Sequence, residues 1–394
     1  MKNHKTIKTA ALALAVCACA VFAPLTAASA AAETDPAESA AVGVVSGGLL
    51  GGEEIFTERD LTQTADISDA VTYTVKDGAD IHITAEGVYV LTGEAENVTV
   101  YVEAEDADKV QLVLDGVSIT NDGFPCIYVT SADKVFITVS EDSSLSVTGA
   151  FTADGETNTD GVIFSRSDLT LNGTAALSIS STDNGVVCKD DLKVTGGTYE
   201  ITAASKAFEA NDSIRISDGA FVIAAGTDGL HAENDEDDTQ GYIYIGGGDF
   251  TIEAGDDGIH AVSFVQIDGG TFAISAGEGI EATYIQINGG AVSINGRDDG
   301  INGAQKSSAY RATIEITGGE ITVVMASGDT DGIDCNGDLI ITGGTIDVTG
   351  QSTFDYDGTG TFTGGTVIVN GQQVTSLPNQ MGMGGFGGGR GRWG

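Results

Sequence analysis

Apolar and polar residues alternate along the chain in short segments separated by glycine-containing turns. In one repeat these segments are Gly258–Ala261, Val265–Ile267 and Thr271–Ile274, with apolar residues at every second position. A period of two is typical of half-buried strands, in which successive side chains point to opposite faces. The pattern therefore predicts three short strands in each repeat.

The repeat is marked by paired glycines or Asx-Gly pairs that end an apolar stretch. They occur at Asn172-Gly173, Gly196-Gly197, Asp218-Gly219, Gly247-Gly248, Gly269-Gly270, Gly289-Gly290, Gly318-Gly319, Gly343-Gly344 and Gly364-Gly365. From Gly173 to Gly365 there are 192 residues in eight steps, a mean period of 24. Left-handed hexapeptide solenoids need about 18 residues per coil, and propeller blades need about 40 or more. The period predicts an all-β fold, a right-handed parallel β-helix (solenoid) with three short strands per rung.

Parity along the strands predicts which side chains face the core. The inward ladders on one wall are Phe221, Phe250, Phe272, Val292 and Ile321, beside Ile223, Ile252, Ile274 and Ile294. Cys126, Cys188 and Cys335 each lie three residues after a glycine, where other rungs carry alanine. Small buried residues belong at that position, so the sequence predicts buried free thiols.

The N-terminus is typical of an export signal. Lys2, Lys5 and Lys8 precede the apolar run Ala10–Phe22, and Ala28-Ser29-Ala30 is a small-residue cleavage site. Thirteen apolar residues are too few to span a bilayer. We therefore expect a secreted protein, extracellular or associated with the cell surface, without membrane insertion.

Four regions follow from these patterns. Residues 1–30 are predicted to be a signal peptide, and 31–62 a flexible N-terminal segment. The parallel β-helix is predicted over 63–375. Residues 376–394 are predicted to be a disordered tail rich in glycine and arginine.

Composition narrows the range of partners. The chain has 58 acidic and 17 basic residues and a formal net charge of −41, which excludes electrostatic attraction to nucleic acid or to an anionic membrane. The 56 glycines argue against long helices, because each interior glycine costs a helix about 1 kcal/mol. We expect a monomer.

Function in a solenoid is sought on the outward faces. In the strand pattern Asp-Gly-Ile-x-Ala, residue x points outward, and on successive rungs it is Glu209, His231, His260, Glu281, Asn302 and Asp334. The residue before the glycine is mostly acidic: Asp160, Asn184, Asp228, Asp257, Glu278, Asp299, Asp331 and Asp357. Asp-Gly is also a common turn pair, so a turn alone explains any single one of these aspartates.

Repulsion between the carboxylates of the complete acidic column favours a bound cation. Rungs stack about 4.8 Å apart. Neighbouring carboxylates then repel by about 0.9 kcal/mol in water, or by about 3.5 kcal/mol at an effective dielectric of about 20. Calcium accepts six to eight oxygens and can be bracketed by adjacent rungs. The predicted Ca²⁺ ligands are Asp228, Asp235, Asp237, Asp256, Asp257, Glu278, Glu281, Asp298, Asp299, Asn302, Asp329, Asp331 and Asp334.

Two further sets of outward residues are candidates for ligand binding. His231 and His260 occupy the same position on adjacent rungs; a transition-metal pair is one interpretation, but no cysteine or third histidine joins them. A solvated ladder or hydrogen bonding to sugar is the favoured interpretation. Tyr242, Phe264 and Tyr284 share one outward position on three rungs. They form either a platform for sugar rings or a stacking ladder that only stabilises the sheet.

Several of these motifs resemble a bacterial family of secreted carbohydrate-binding domains. They are Gly226–Ala232 (GTDGLHA), Asp238–Tyr242 (DTQGY), Gly255–Ala261 (GDDGIHA) and Lys109–Ile119 (KVQLVLDGVSI). The resemblance covers roughly residues 63 to 370. It implies a calcium-binding right-handed parallel β-helix, similar to pectate lyases in fold, that binds plant polysaccharides such as polygalacturonic acid and cellulose.

The chain departs from the repeat at two rungs. Lys206 replaces the usual acid before Ala207, and Glu278 has no preceding aspartate. Non-catalytic, calcium-dependent polysaccharide binding is the leading hypothesis. A pectate-lyase-like enzyme is the alternative, with Lys206 and Lys189 as its only plausible bases on that face. A structural surface adhesin is the third. The scarcity of candidate bases favours binding over catalysis.

Overall fold

The computed structural model describes residues 48–50, 55–328 and 330–379. One short helix, α1 (Glu58–Leu61), precedes the strands. In chain order the strands are β1 (Val71–Thr74), β2 (Ile81–Ile83), β3 (Gly87–Glu96), β4 (Val100–Glu103), β5 (Lys109–Asn121), β6 (Ile127–Ser131), β7 (Lys134–Glu141), β8 (Ser143–Val147), β9 (Gly161–Ser165), β10 (Asp168–Gly173), β11 (Ala176–Ser181), β12 (Asn184–Cys188), β13 (Asp191–Val194), β14 (Thr198–Ala203), β15 (Phe208–Ala210), β16 (Ser213–Ile216), β17 (Ala220–Ala225), β18 (Leu230–Ala232), β19 (Tyr242–Ile245), β20 (Asp249–Ala254), β21 (Asp257–Ile267), β22 (Thr271–Ala276), β23 (Glu278–Ile287), β24 (Ala291–Gly296), β25 (Asp299–Gly303), β26 (Thr313–Ile316), β27 (Glu320–Met325), β28 (Asp331–Cys335), β29 (Asp338–Ile341), β30 (Thr345–Thr349), β31 (Ser352–Tyr356), β32 (Gly360–Phe362), β33 (Thr366–Val369) and β34 (Gln372–Val374).

The strands stack in parallel into three walls, each strand pairing with its counterpart one rung further along. The first wall contains β2, β4, β6, β9, β12, β15, β18, β25, β28, β31 and the first halves of β21 and β23. The second wall contains β1, β7, β10, β13, β16, β19, β26, β29, β32, the first halves of β3 and β5, and the second halves of β21 and β23. The third wall contains the second halves of β3 and β5 and β8, β11, β14, β17, β20, β22, β24, β27, β30 and β33. The prediction of an all-β parallel β-helix with three strands per rung is confirmed.

The core consists of like side chains stacked from rung to rung. On the third wall Phe221 pairs in register with Phe250, and Phe250 with Phe272. Their rings are parallel, with centroids 4.5 and 4.6 Å apart. Val292 and Ile321 continue the ladder, and all five side chains are buried, as predicted. Cys126, Cys188 and Cys335 are buried free thiols, which also confirms the prediction.

The glycines that recur in phase with the repeat lie where adjacent rungs approach most closely. A Cβ on Gly258 would lie 2.5 Å from Ile274 Cγ2 and 2.6 Å from the carbonyl oxygen of Gly279. Real Cβ atoms do not tolerate contacts this short, so a side chain would push the rungs apart. In the paired glycines it is the second member that needs glycine for its backbone, because Gly270 and its counterparts have positive φ.

The prediction of a flexible segment over 31–62 needs correction for residues 55–62, which pack on the outer surface of the second wall. Thr57 caps α1 through a capping box with Asp60. Ile55 and Phe56 are buried against Tyr244, and the Asp60 side chain has no exposed surface. The segment is ordered because its acidic and apolar side chains find partners on strands far along the chain. Residues 31–47 and 51–54 lie outside the described residues.

Asp60 forms a buried charge cluster with two lysines. Lys134 Nζ lies 2.7 Å from Asp60 Oδ1, and Lys193 Nζ lies 2.9 Å from Oδ2. Burial alone would raise the pKa of Asp60, but the two ammonium groups outweigh it and hold the pKa well below its usual range. Gln63 extends the contact, since its amide donates to the Thr195 carbonyl and accepts from the Gly173 N–H.

The C-terminal end of the described chain turns back on itself. Strands β33 and β34 form an antiparallel pair, and Leu377 packs against the core. Asn379 Nδ2 donates to the Tyr356 carbonyl at 3.0 Å. The predicted disordered tail therefore needs correction for residues 376–379, while 380–394 and the predicted signal peptide lie outside the described residues. Among the described residues, no helix has the length and apolar character to cross a bilayer.

Asp60→Asn tests the contribution of the buried charge cluster. We expect the substitution to lower the free energy of unfolding by about 3–5 kcal/mol at pH 7, because it leaves two buried ammonium groups without a counter-charge. Because folding lowers the pKa of Asp60, its stabilisation is present above the unfolded value of about 3.9 and is lost as the pH falls. Denaturant unfolding at pH 7 and pH 3 measures both effects.

The matched control for this test is Asp69→Asn, which removes an exposed carboxylate near the same segment. It should change the stability by less than about 0.5 kcal/mol. Equal effects of the two substitutions would contradict the assignment.

Candidate functional site

The outward column of the first wall is a continuous ladder. Register pairs join Glu209 to His231, His231 to His260, His260 to Glu281, Glu281 to Asn302, Asn302 to Asp334 and Asp334 to Asp355. The first six members are the residues that the sequence placed there. Asp355 extends the ladder by one rung. Its strand has no Asp-Gly-Ile pattern, since Phe354 takes the place of the isoleucine, so the repeat gave no signal for it.

The second predicted column, one residue before each glycine, forms only in part. At its start Asn184 pairs with Gly161 and not with the predicted Asp160. Asp257 pairs with Glu278, and Asp299 pairs with Asp331. The next partner is Ser352, not the predicted Asp357. Asp357 lies beyond the end of β31, because the strand on this rung begins five residues earlier than the Asp-Gly pair suggested.

Both histidines are held between carboxylates. The rings of His231 and His260 stack at 4.7 Å with 12° between their planes. His231 Nδ1 lies 2.8 Å from Asp228 Oδ2, and its Nε2 lies 3.2 Å from Glu233 Oε2. Asp228 and His231 are buried, which corrects the expectation of a solvated histidine ladder at this rung.

His260 has two carboxylates at one nitrogen. Its Nδ1 lies 2.6 Å from Asp257 Oδ2 and 2.9 Å from Glu281 Oε2. Burial would lower the pKa of His260, but the hydrogen bonds to these carboxylates raise it to about 9. Lys306 Nζ also contacts Glu281 Oε2, at 2.9 Å. Burial raises the pKa of Asp257, whereas His260 and Lys306 together lower that of Glu281 despite its burial.

A polar cleft of about 470 Å³ lies beside the same wall. We call it the lysine cleft. Its lining includes Lys189, Lys206, Glu209 and His231, together with Asp235 of the acidic loop. Both lysines are paired to Glu209: Lys189 Nζ lies 2.9 Å from Oε1 and Lys206 Nζ lies 3.2 Å from Oε2. Burial opposes ionisation of Glu209, but the two ammonium groups lower its pKa.

The last rungs carry a group of side-chain oxygens that contact no lysine, arginine or histidine in the part of the chain that the structure describes. We call Asp299, Asn302, Asp331, Asp334 and Asp355 the terminal carboxylate cluster. Asn302 Nδ2 donates to Glu278 Oε2 at 2.9 Å, and the Asn302 Oδ1 atom is buried without a hydrogen-bond partner. Asp331 Oδ1 and Asp355 Oδ1 are likewise buried without a partner. Such oxygens are rare in folded proteins, because an unsatisfied buried polar atom costs about 1–3 kcal/mol.

Protonation equilibria reflect this excess of negative charge. Burial, followed by the neighbouring Asp299 and Asp331, raises the pKa of Asp334 to about 7. Burial raises the pKa of Asp299 to about 6; the hydrogen bond from the Asp331 N–H opposes this, and the carboxylates of Asp298 and Asp331 add to it. Burial and Glu281 raise the pKa of Glu278 to about 8. Without a counter-ion, the folded chain therefore opposes full ionisation of this part of the wall.

Of the two interpretations of the aromatic column, the structure supports the stacking ladder and not the sugar platform. Tyr242 and Phe264 stack at 4.6 Å, and Tyr284 pairs with Phe264 in register, as the stacking ladder predicts. Phe264, however, is only 2% exposed, because Tyr310 from the loop after β25 packs edge-on against it at 5.4 Å. The Tyr284 hydroxyl donates to Glu315 Oε2. The column is therefore a packed ladder and does not present a flat platform for sugar rings.

The remaining predicted ligands lie apart from these clusters. Asp256 and Asp298 are exposed beside the wall. Asp235 lines the lysine cleft, and Asp237 Oδ1 accepts hydrogen bonds from the Thr239 backbone N–H and hydroxyl. Asp329 lies outside the described residues. Sequence reasoning missed Lys306, which comes from a loop and belongs to no repeat.

Comparisons with known proteins agree on a class of protein. The family model for carbohydrate-binding domain-containing proteins matches residues 77–329. A carbohydrate-binding domain-containing protein from Acetivibrio thermocellus is 34% identical over 129 residues, which are 32% of this chain and 45% of the relative. The match thus spans less than half the length of that curated relative.

A solved structure is also similar. It is the polysaccharide lyase-like protein from C. thermocellum, in a gadolinium derivative. The identity is 30% and the TM-score 0.51, and the match covers 54% of this chain and 92% of the solved chain.

Asp334→Asn tests the electrostatic strain in the terminal carboxylate cluster. Because folding raises the pKa of Asp334 to about 7, its favourable contribution is present below about pH 4 and is lost as the pH rises through 7. In excess chelator we expect the variant to be more stable than the wild type at pH 8 by about 1–2 kcal/mol, after allowance for solvent screening. At pH 4.5 the two should differ little.

Asp347→Asn, on the third wall, is the control and should not show this dependence on pH. Thermal melts at the two pH values measure the difference. A variant that is destabilised equally at both would contradict the charge-repulsion account.

Proposed function

The chain belongs to the family of carbohydrate-binding domain-containing proteins, and we propose that it binds acidic polysaccharide through calcium held on its first wall. The family is the one that the sequence motifs resemble, so that prediction is confirmed. A polysaccharide partner follows from the family, while calcium dependence, polygalacturonate or cellulose as the ligand, and the absence of cleavage are parts of the proposal.

The observation that carries the proposal is the set of buried, unpartnered oxygens of Asn302, Asp331 and Asp355. These residues lie on three successive rungs, beside the half-buried carboxylates of Asp299 and Asp334. Carboxylate and amide oxygens are the ligands that Ca²⁺ prefers, and it accepts six to eight of them. The residues thus offer the ligand types that calcium prefers, together with an unmet demand for positive charge.

Within the first wall, the terminal carboxylate cluster is the part best suited to a hard cation such as Ca²⁺, because it combines carboxylate and amide oxygens with oxygens that have no partner. Asp228, Asp257 and Glu281 serve less well, because imidazoles already occupy their oxygens.

Acidic polysaccharide suits such a site for electrostatic reasons. A chain of net charge −41 repels a polyuronate in bulk solution, so contact must be local and mediated by cations. Calcium with some positions open can take uronate oxygens, because bound cations reverse the local charge. The ladder from Glu209 to Asp334 spans five rung spacings, or about 24 Å, which suits an extended chain lying along the wall.

Binding without cleavage is the better form of the proposal. Eliminative cleavage requires a free base to take a proton from the sugar ring. Lys189 and Lys206 are the candidates, and both are engaged by Glu209. The buried Phe264 weakens the alternative of a neutral sugar surface based on aromatic stacking, so we place cellulose second to polyuronate. The export signal predicted for 1–30 is consistent with action outside the cell.

Calcium should stabilise the protein. At 100 times its dissociation constant, a ligand that binds only the folded state adds about 2.7 kcal/mol, and we expect a rise in Tm of that origin. Asp331→Asn should remove most of this rise, because it removes a carboxylate that has an unpartnered oxygen. Asp347→Asn should keep it. A melting curve that calcium leaves unchanged, measured against excess chelator, would rule out the calcium site.

Retention on polysaccharide tests the ligand. We expect immobilised polygalacturonate to retain the wild type in calcium and to release it in chelator, with retention by Asp331→Asn reduced at least about tenfold. Cellulose, tested in parallel, distinguishes acidic from neutral ligands. The absorbance of unsaturated uronate product is followed in the same samples. Product that forms steadily and is lost in Lys206→Ala would establish a lyase instead.

A further inference from the structure

In the middle of the first wall, three side chains bring one imidazole nitrogen and two carboxylate oxygens close together. Asp257 Oδ2, His260 Nδ1 and Glu281 Oε2 all lie within 4.8 Å of one another. The three side chains are 7%, 12% and 10% exposed. They come from adjacent rungs, with Asp257 and His260 on β21 and Glu281 on β23, so the parallel register fixes their relative positions.

The hydrogen bonding within this group is incomplete as it stands. His260 Nδ1 has carboxylate oxygens at 2.6 and 2.9 Å, but a single N–H proton points well toward only one acceptor. Lys306 Nζ reaches the same Glu281 oxygen from a loop, at 2.9 Å, and is about one-third exposed. Lys306 thus adds positive charge to that of the His260 imidazolium, and its long side chain is one that another cation can displace.

We propose that Asp257, His260 and Glu281 form a binding site for Zn²⁺ or a similar divalent transition metal. Zinc binds imidazole nitrogen and carboxylate oxygen at about 2.0–2.2 Å, which places ligand atoms about 3.3 Å apart in a tetrahedron. The His260–Asp257 and His260–Glu281 distances, 2.6 and 2.9 Å, would therefore have to lengthen by about 0.7 and about 0.4 Å, which side-chain rotation can supply. Three protein ligands leave a fourth position for water or an oxygen of a ligand.

Calcium is a poor match for the same residues. It seeks six to eight oxygens, whereas this group offers an imidazole nitrogen and two carboxylates. The neighbouring ring of His231, stacked at 4.7 Å, holds the His260 ring in place. His231 itself is taken up by Asp228 and Glu233, so it serves as a support and not as a ligand. The first wall would then carry two kinds of metal site, selected by ligand type.

The test is a zinc titration of the untagged, metal-free chain by calorimetry, without polysaccharide. We expect tight binding of one Zn²⁺ that millimolar Ca²⁺ does not displace. His260→Gln should weaken it at least about tenfold. Lys306→Met should strengthen it, since it removes the competing ammonium group. The three buried cysteines are not available to the metal in the folded protein.

His82→Gln is the matched control, because His82 also contacts a carboxylate, Glu103 at 2.8 Å, but only one. It should bind zinc as the wild type does. Zinc affinity that is unchanged in His260→Gln, or abolished by calcium, would overturn the proposal. If that variant fails to fold, the visible absorption of the Co²⁺-loaded wild type decides: the bands of a tetrahedral nitrogen–oxygen site support the assignment, and their absence overturns it.

Discussion

Stacking of identical rungs at about 4.8 Å is the constraint on which the rest of this molecule depends. Parallel register puts each side chain directly beside its counterpart on the next rung, so side chains of the same kind contact one another. For apolar residues the repetition is favourable, and the phenylalanine ladder Phe221–Phe250–Phe272 shows it as parallel rings 4.5 and 4.6 Å apart. For acids it is unfavourable, because like charges are brought within a few ångströms.

The first wall meets that cost in three different ways along its length. Near Glu209, two lysines of the chain supply the positive charge. At the next rungs, imidazoles stand between the carboxylates, and Lys306 adds a charge from a loop. At the terminal carboxylate cluster no lysine, arginine or histidine contact is recorded in the described chain, and buried oxygens are left without partners. Along one ladder, the carboxylates are thus neutralised first by side chains of the protein and, at the last rungs, only if cations bind from solution.

Much of this could be predicted from the sequence, because a repeat of fixed period determines both the fold and the register. The outward ladder from Glu209 to Asp334 and the buried phenylalanines follow from parity alone. What the sequence did not reveal comes from outside the repeat. Tyr310 and Lys306 belong to one inserted loop, which covers Phe264 and reaches Glu281. Asp355 lies on a rung whose motif is altered, and Asp60 meets Lys134 and Lys193 across 74 and 133 residues.

The N-terminal segment has a consequence for how the solenoid comes apart. In a repeat protein each rung touches only its neighbours, so unfolding can begin at an end and advance rung by rung, as in a one-dimensional array. Here Phe56 contacts Tyr244, and Asp60 contacts Lys193 and Lys134, on separate rungs of the second wall. The N–H groups of Leu50 and Leu49 donate to the side chains of Gln266 and Gln286 on two further rungs. Rungs that share no direct contact are thereby coupled, because the unfolding of one rung removes contacts that keep the segment bound to the other rungs. A linear array gains the cooperativity of a globular domain from a few residues that run against its direction of growth.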